Sequence, residues 1–144
     1  MRTHYTLKTA SDTQKLAENL AQTLHGGEVI GLIGDLGTGK TTFAQYLAAA
    51  LGVKKTVISP TFTIMQTYHA TYDGITRFIH IDAYRLSFAD DLRALGVEEY
   101  FNDPTTVTVV EWADRTRDIF PAKSVLLTFS TSGTNRAVTL HYTK

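Results

Sequence analysis

The run Gly34-Asp35-Leu36-Gly37-Thr38-Gly39-Lys40-Thr41-Thr42 satisfies the pattern G-x-x-x-x-G-K-S/T. Its residue types suit one chemistry. Glycines let the backbone turn so that successive amides aim at phosphate oxygens, and a helix beginning at the lysine adds its positive N-terminal end. Lys40 then reaches the β- and γ-phosphates, and the Thr41 hydroxyl is placed to ligate magnesium. A glycine-rich turn with a solvated lysine is the plain alternative. The loop follows an apolar strand pattern and opens a helical one, as nucleoside triphosphate binding requires.

Hydrolysis also needs carboxylates, to complete the metal shell and to orient water. Residues 106–111, Thr-Val-Thr-Val-Val-Glu, read as an apolar strand ending in an acid. Glu111 stands where aspartate is the commoner residue, reaching one methylene further; a solvated strand-end acid is the competing reading. Asp82 closes a second apolar strand, Phe78-Ile79-His80-Ile81, and could orient magnesium or the attacking water. An ordinary turn aspartate would look the same. His80 lies two positions earlier, on the same strand face. No second His or Cys stands at ligand spacing, so packing is favoured over metal binding for it. Ser59-Pro60-Thr61-Phe62 falls where a γ-phosphate sensor would sit, with Thr61 as its hydroxyl and proline pre-shaping the segment. A plain loop is equally compatible. Tyr84, Arg85 and Trp112 could face a partner or the nucleotide; buried packing is the plainer reading of Tyr84 and Trp112, and a surface ion pair that of Arg85.

These groups need a scaffold. Ser11-x-x-Gln14 has the capping-box pattern, and Leu16, Ala17, Leu20, Ala21 and Leu24 share one helical face, which Gly26-Gly27 is expected to end. Residues 29–33 form a continuously apolar strand and residues 40–51 a helix stopped at Gly52. Residues 63–70 and 75–81 read as a hairpin turning at Asp73-Gly74. Ser87 caps a short helix that ends at Gly96. Strands over 125–130 and 137–142 flank a turn at residues 131–135. The expected architecture is α/β: one domain over residues 1–144, with antiparallel strands at the edges of the sheet.

Composition narrows the function. The 144 residues carry 14 Lys plus Arg against 14 Asp plus Glu, a net charge of zero that disfavours a basic nucleic-acid-binding surface. Without cysteine there is neither a disulfide framework nor a thiolate zinc site. No apolar run approaches the roughly 18 residues of a membrane span. The opening residues lack a signal-peptide core, so a cytoplasmic protein is expected.

Together, Gly34 to Thr42, Ser59-Pro60-Thr61-Phe62, His80-Ile81-Asp82-Ala83-Tyr84-Arg85-Leu86 and Val110-Glu111-Trp112 resemble, in order and spacing, the TsaE (YjeE) family. These are small bacterial ATPases of tRNA threonylcarbamoyladenosine synthesis. The resemblance implies a P-loop NTPase-type three-layer sandwich, with central parallel strands flanked by antiparallel ones. It also implies ATP or ADP with Mg2+ as ligands, and glutamate as the family's own residue at 111. By the same resemblance Lys40 and Thr41 serve phosphate and magnesium, and Glu111 completes the metal site. Asp82 matches an acid linked to ATPase function, Thr61 a switch-like loop, and Arg136 a nucleotide contact. The implied partners are threonylcarbamoyl-transfer proteins of the TsaD and TsaB type, acting on adenosine 37 of tRNAs that read ANN codons. The tRNA is met only through that complex, which ATP hydrolysis resets. Two other readings remain at this stage. One is a nucleotide-gated binding module that needs no hydrolysis. The other is a small-molecule kinase, with Arg115 and Arg117 as lid arginines.

Overall fold

The computed structural model describes residues 2–35, 37–58, 65–84, 89–122 and 124–143. Leu36, Ser59, Pro60, Thr61, Phe62, Arg85 and Ser87 lie outside the described residues. In chain order the elements are β1 (Arg2–Leu7), α1 (Ala10–Ala21), β2 (Val29–Ile33), α2 (Lys40–Ala50), β3 (Met65–Tyr72) and β4 (Ile75–Asp82). They continue with α3 (Ala89–Arg93), α4 (Glu98–Phe101), β5 (Thr106–Glu111), β6 (Val125–Ser132) and β7 (Asn135–Tyr142). Single 3-10 turns at Ala113–Arg115 and Arg117–Ile119 link β5 to β6.

All seven strands join one sheet in the order β1-β7-β6-β2-β5-β4-β3. The four inner strands, β6, β2, β5 and β4, run parallel; β1 and β7 on one flank and β3 on the other are antiparallel additions. The expected arrangement is therefore present. Composition explains which strands are central: Val-Ile-Gly-Leu-Ile and Thr-Val-Thr-Val-Val-Glu are buried nearly throughout, as strands covered on both faces must be.

Alternation along each strand divides the core in two. Ile30, Leu32, Phe78, Val107 and Val109 face α1 and α2, where they meet Leu16, Leu20, Phe43 and Leu47. Val29, Ile79, Ile81 and Val110 face the opposite layer, with Leu92, Phe101, Ala113 and Ile119. Fully burying one such side chain is worth about 1.5–3 kcal/mol, so both helical layers are fastened by several residues. Glu111 continues the Val107, Val109 alternation and thus points to the α2 side.

Local details depart from the sequence reading. The capping box of α1 is not Ser11 with Gln14. It is Thr9 with Asp12: the Asp12 amide donates to Thr9 Oγ1 at 3.3 Å, and the Thr9 amide donates back to Asp12 Oδ2 at 3.2 Å. Aspartate is short enough to close the box, and a third donor, the Lys8 amide, reaches the same oxygen at 2.9 Å. The helix ends at Ala21 with Gln22 as its cap, well before Gly26 and Gly27. Those glycines serve the approach to β2 instead, where the Gly27 amide donates to the Thr106 carbonyl at 2.7 Å. The hairpin at Asp73-Gly74 is as expected, with both residues at positive φ. The β6–β7 turn tightens to two residues, because pairing extends to Ser132 and Asn135.

Candidate functional site

The phosphate-type loop leaves the C-terminal end of β2 and enters α2 at Lys40. Gly34, Gly37 and Gly39 lie at φ 147°, 77° and 104°. At Gly34 an added Cβ would come within 2.6 Å of the Phe129 carbonyl oxygen, so both space and backbone demand glycine there. Gly39 is the N-cap of α2 and makes no side-chain cap, in contrast to the fully boxed start of α1. An 11-residue helix thus presents its first-turn amides and dipole without a side-chain acceptor of its own at the cap, the arrangement that suits an anion. Thr38, by contrast, turns its hydroxyl inward, donating to the Asp35 carbonyl at 2.6 Å and bracing the loop.

Lys40 is only 5% exposed. Its ammonium donates to the Gly34 carbonyl, lies 3.4 Å from the Asp35 carbonyl and stands 3.6 Å above the Trp112 ring centroid. Burial pushes its pKa below the ordinary lysine value, and Glu111, Asp82, Asp114 and Asp35 oppose that shift. Beside it the Thr41 hydroxyl donates to Glu111, with Oε1 at 3.0 Å and Oε2 at 3.2 Å. Glu111 is 3% exposed at the end of β5, registered directly opposite Asp82 of β4. Parallel partners in register point to one face, which is how two distant acids reach the same space.

A cavity of about 180 Å3 gathers Gly37, Gly39, Lys40, Thr41, Thr42, Asp82, Glu111, Trp112 and Arg136. Most of the expected site therefore converges. Arg136, at the start of β7, lies across the loop: an added Cβ on Gly39 would sit 3.3 Å from its Cδ and Nη1. Asp82 lines the cavity, and its Oδ1 also accepts from the Tyr84 amide at 3.0 Å, as a turn aspartate does. Thr61 and Leu36 lie outside the described residues. Arg117 is elsewhere, lining a separate cleft with Arg2 and His141 at the opposite end of β7.

Two contacts were not anticipated. His80 is fully buried, yet its Nε2 lies 2.5 Å from Glu111 Oε2, so it does more than pack. Trp112 adopts φ 61°, unusual for a large side chain, and this turns its ring under Lys40 and against Tyr84, with centroids 5.0 Å apart. Tyr84 is 49% exposed, which goes against the buried-packing reading and leaves the outward-facing one. A signal for His80 was present in its period-two spacing from Asp82. Which carboxylate it would meet depended on strand register.

The donor set fits a magnesium-bound nucleotide. Thr41 and Glu111 offer hard oxygen atoms, and the glycine loop offers amides beside a buried ammonium. Among the described residues no three His, Asp or Glu side chains form a closed metal cage. Magnesium characteristically takes one or two protein ligands and leaves the rest to phosphate and water.

Comparison with known proteins agrees with this geometry. The profile of the family "Threonylcarbamoyl adenosine biosynthesis protein TsaE" matches residues 7–138. The chain is 37% identical to the tRNA threonylcarbamoyladenosine biosynthesis protein TsaE of Bacillus subtilis, over 85% of this chain and 73% of the relative. Against the protein of the same name from Aquifex aeolicus it is 45% identical, over 76% and 75% of the two chains. For that of Treponema pallidum the values are 33%, 92% and 96%. The crystal structure of Bacillus subtilis YdiB superposes with a TM-score of 0.81 at 29% identity, covering 100% of this chain and 87% of that one. The profile, the relatives and the fold agree, and the chain belongs to the TsaE family of tRNA threonylcarbamoyladenosine biosynthesis proteins.

Proposed function

We propose that this protein is an ATPase that binds ATP with magnesium and hydrolyses it in support of the complex that forms threonylcarbamoyladenosine on tRNA. The observation that carries the reading is the meeting of Lys40, Thr41 and Glu111 in one cavity at the uncapped start of α2. Lys40 exchanges its contacts with the Gly34 carbonyl and the Trp112 ring for phosphate oxygens. Thr41 donates its hydrogen bond to Glu111 and so keeps its lone pairs for the metal. A magnesium ion would be held by Thr41 and Glu111 and would supply charge neutralisation at the phosphates. Asp82 and Glu111 stand side by side as candidate acceptors for a water proton, and Arg136 closes the cavity from the β7 side. Thr61, in the sensor-like segment, is the fourth residue assigned to catalysis. Loop residues 34–42 and Arg136 are assigned to the nucleotide, Thr41 and Glu111 to the metal.

Arg117 lines a cleft at the far end of β7, away from Lys40. The kinase reading therefore finds no support in Arg117. Slow turnover by the isolated chain is expected, with threonylcarbamoyl-transfer proteins of the TsaD and TsaB type as the partners that accelerate it and hold the tRNA. The test is phosphate release and tRNA modification with those partners present, for the unsubstituted chain, Lys40→Ala and Glu111→Ala. Both variants should stop after the first modification cycle. If both sustain repeated cycles, hydrolysis is not the function and nucleotide-gated binding remains. An isolated chain turning over near 10 per second, the rate of a median enzyme, would contradict the need for partners.

A further inference from the structure

Glu111 is longer than the aspartate commonly found at such a strand end, and its extra rotatable bond must be fixed if the carboxylate is to face Thr41. The fixing group lies on the neighbouring strand. His80 is fully buried on β4, in register with Val109 of β5, and its Nε2 approaches Glu111 Oε2 at 2.5 Å. Its other ring nitrogen, Nδ1, has no hydrogen-bond partner among the described residues. A carboxylate only accepts, so the imidazole must donate through Nε2–H. The tautomer with its hydrogen on Nδ1 would bury an unsatisfied donor.

We infer that His80 is the positioning residue for Glu111: it donates to Oε2 and holds the carboxylate so that Oε1 accepts the Thr41 hydrogen bond beside the metal position. Thr41 Oγ1 is 3.0 Å from Oε1, so one carboxylate is held between two donors. The strand that supplies Asp82 thereby also sets Glu111, through a side chain two residues earlier on the same face. His80 itself does not line the cavity. The inference rests on the ATPase reading for its effect on magnesium; its geometric half stands on the nucleotide-free protein.

The experiment has two arms. In the first, imidazole 15N spectra of the nucleotide-free chain report the tautomer of His80. The Nε2–H form is expected, with its resonances displaced in Glu111→Gln; the Nδ1–H form, or no displacement, overturns the inference. In the second arm, the magnesium concentration that half-saturates nucleotide binding is followed by the fluorescence of Trp112, the chain's single tryptophan. His80→Phe keeps the ring volume without a donor and should raise that midpoint by about 10- to 100-fold, the usual range for groups that orient a ligand. It should leave magnesium-free nucleotide affinity unchanged and lower kcat more than it raises KM. His80→Gln carries an amide donor near the same place and should recover most of the loss. Equal midpoints for the unsubstituted chain and a folded His80→Phe would overturn the inference, as would a folded His80→Gln no better than His80→Phe. Should His80→Phe fail to fold, His80→Gln and the tautomer decide. If the unsubstituted chain binds no nucleotide, the ATPase reading fails instead, and the tautomer still decides the His80–Glu111 contact.

Discussion

Replacing Lys40 by methionine should separate stability from binding. The ammonium has left water to sit over the Trp112 ring and against the Gly34 carbonyl. Desolvating such an ion costs several kcal/mol. Against that stand a hydrogen bond to a charged donor, about 1.5–3 kcal/mol, and a desolvated cation–π contact of about 2 kcal/mol. The two sides nearly offset, so the charge adds little to the stability of the fold. Methionine removes both together, fills similar space and regains about 0.3–1.5 kcal/mol as a sulfur–aromatic contact with Trp112. The melting temperature of the nucleotide-free variant should therefore stay within about 4 °C of the unsubstituted chain, since 1 kcal/mol moves a domain of this size by about 2–4 °C. Binding behaves differently. At phosphate the three ammonium donors form about three charge-assisted hydrogen bonds, about 4.5–9 kcal/mol, and surrender about 3.5–5 kcal/mol of contact with Gly34 and Trp112. The net gain is near one such bond, about 1.5–3 kcal/mol, which weakens Kd for ADP or ATP by roughly 10- to 100-fold when removed. Calorimetric titration with parallel thermal melts measures both quantities. A melting temperature lowered by about 10 °C with Kd unchanged would refute the reasoning, because Lys40 would then be structural and not held ready for an anion.

Three further outcomes follow from other parts of the molecule. Thr9→Ala, which opens the capping box of α1, should cost about 1 kcal/mol and lower the melting temperature by about 2–4 °C. The Asp103 pKa is held below its ordinary value by the Thr105 amide and hydroxyl, with the Thr106 hydroxyl and Arg77 adding to the effect. Its contribution to stability is present above about pH 4 and is lost as pH falls through the lowered pKa, so Asp103→Asn should show a shallower acid limb in denaturation below about pH 4. With zero net charge, the lone chain should bind tRNA weakly and with steep salt dependence; filter binding that is tight at physiological salt would contradict this.

The phosphate loop and both acids were legible in the sequence because each is announced by a local pattern. Glycine spacing marks the loop, and an apolar run ending in an acid marks each strand end. What escaped depended on register or on competition among similar signals. Ser11-x-x-Gln14 matched a capping box, yet Thr9 two residues earlier had the extended backbone and the closer acid. Strand β1 escaped because its side chains are almost all exposed, leaving no burial pattern in Arg2–Leu7 to read; its pairing with β7 holds it in the sheet. The four-residue α4 is too short for periodicity to reveal. His80 was assigned to packing because its partner lies 31 residues away and becomes adjacent only through the pairing of β4 with β5.

The pairing of β1 with β7 has a practical consequence for handling the protein. Arg2 lies opposite His141, whereas Leu7 lies opposite Arg136, the residue that closes the nucleotide cavity. The first and last described residues thus meet at the end of β7 away from that cavity, about five residues or roughly 17 Å along the strand. A tag or fluorescent fusion at either end would emerge away from the phosphate loop. A short linker could join the two ends while new ones are cut at the Asp73-Gly74 hairpin, and Asp82, Glu111 and Arg136 would keep their places in the sheet.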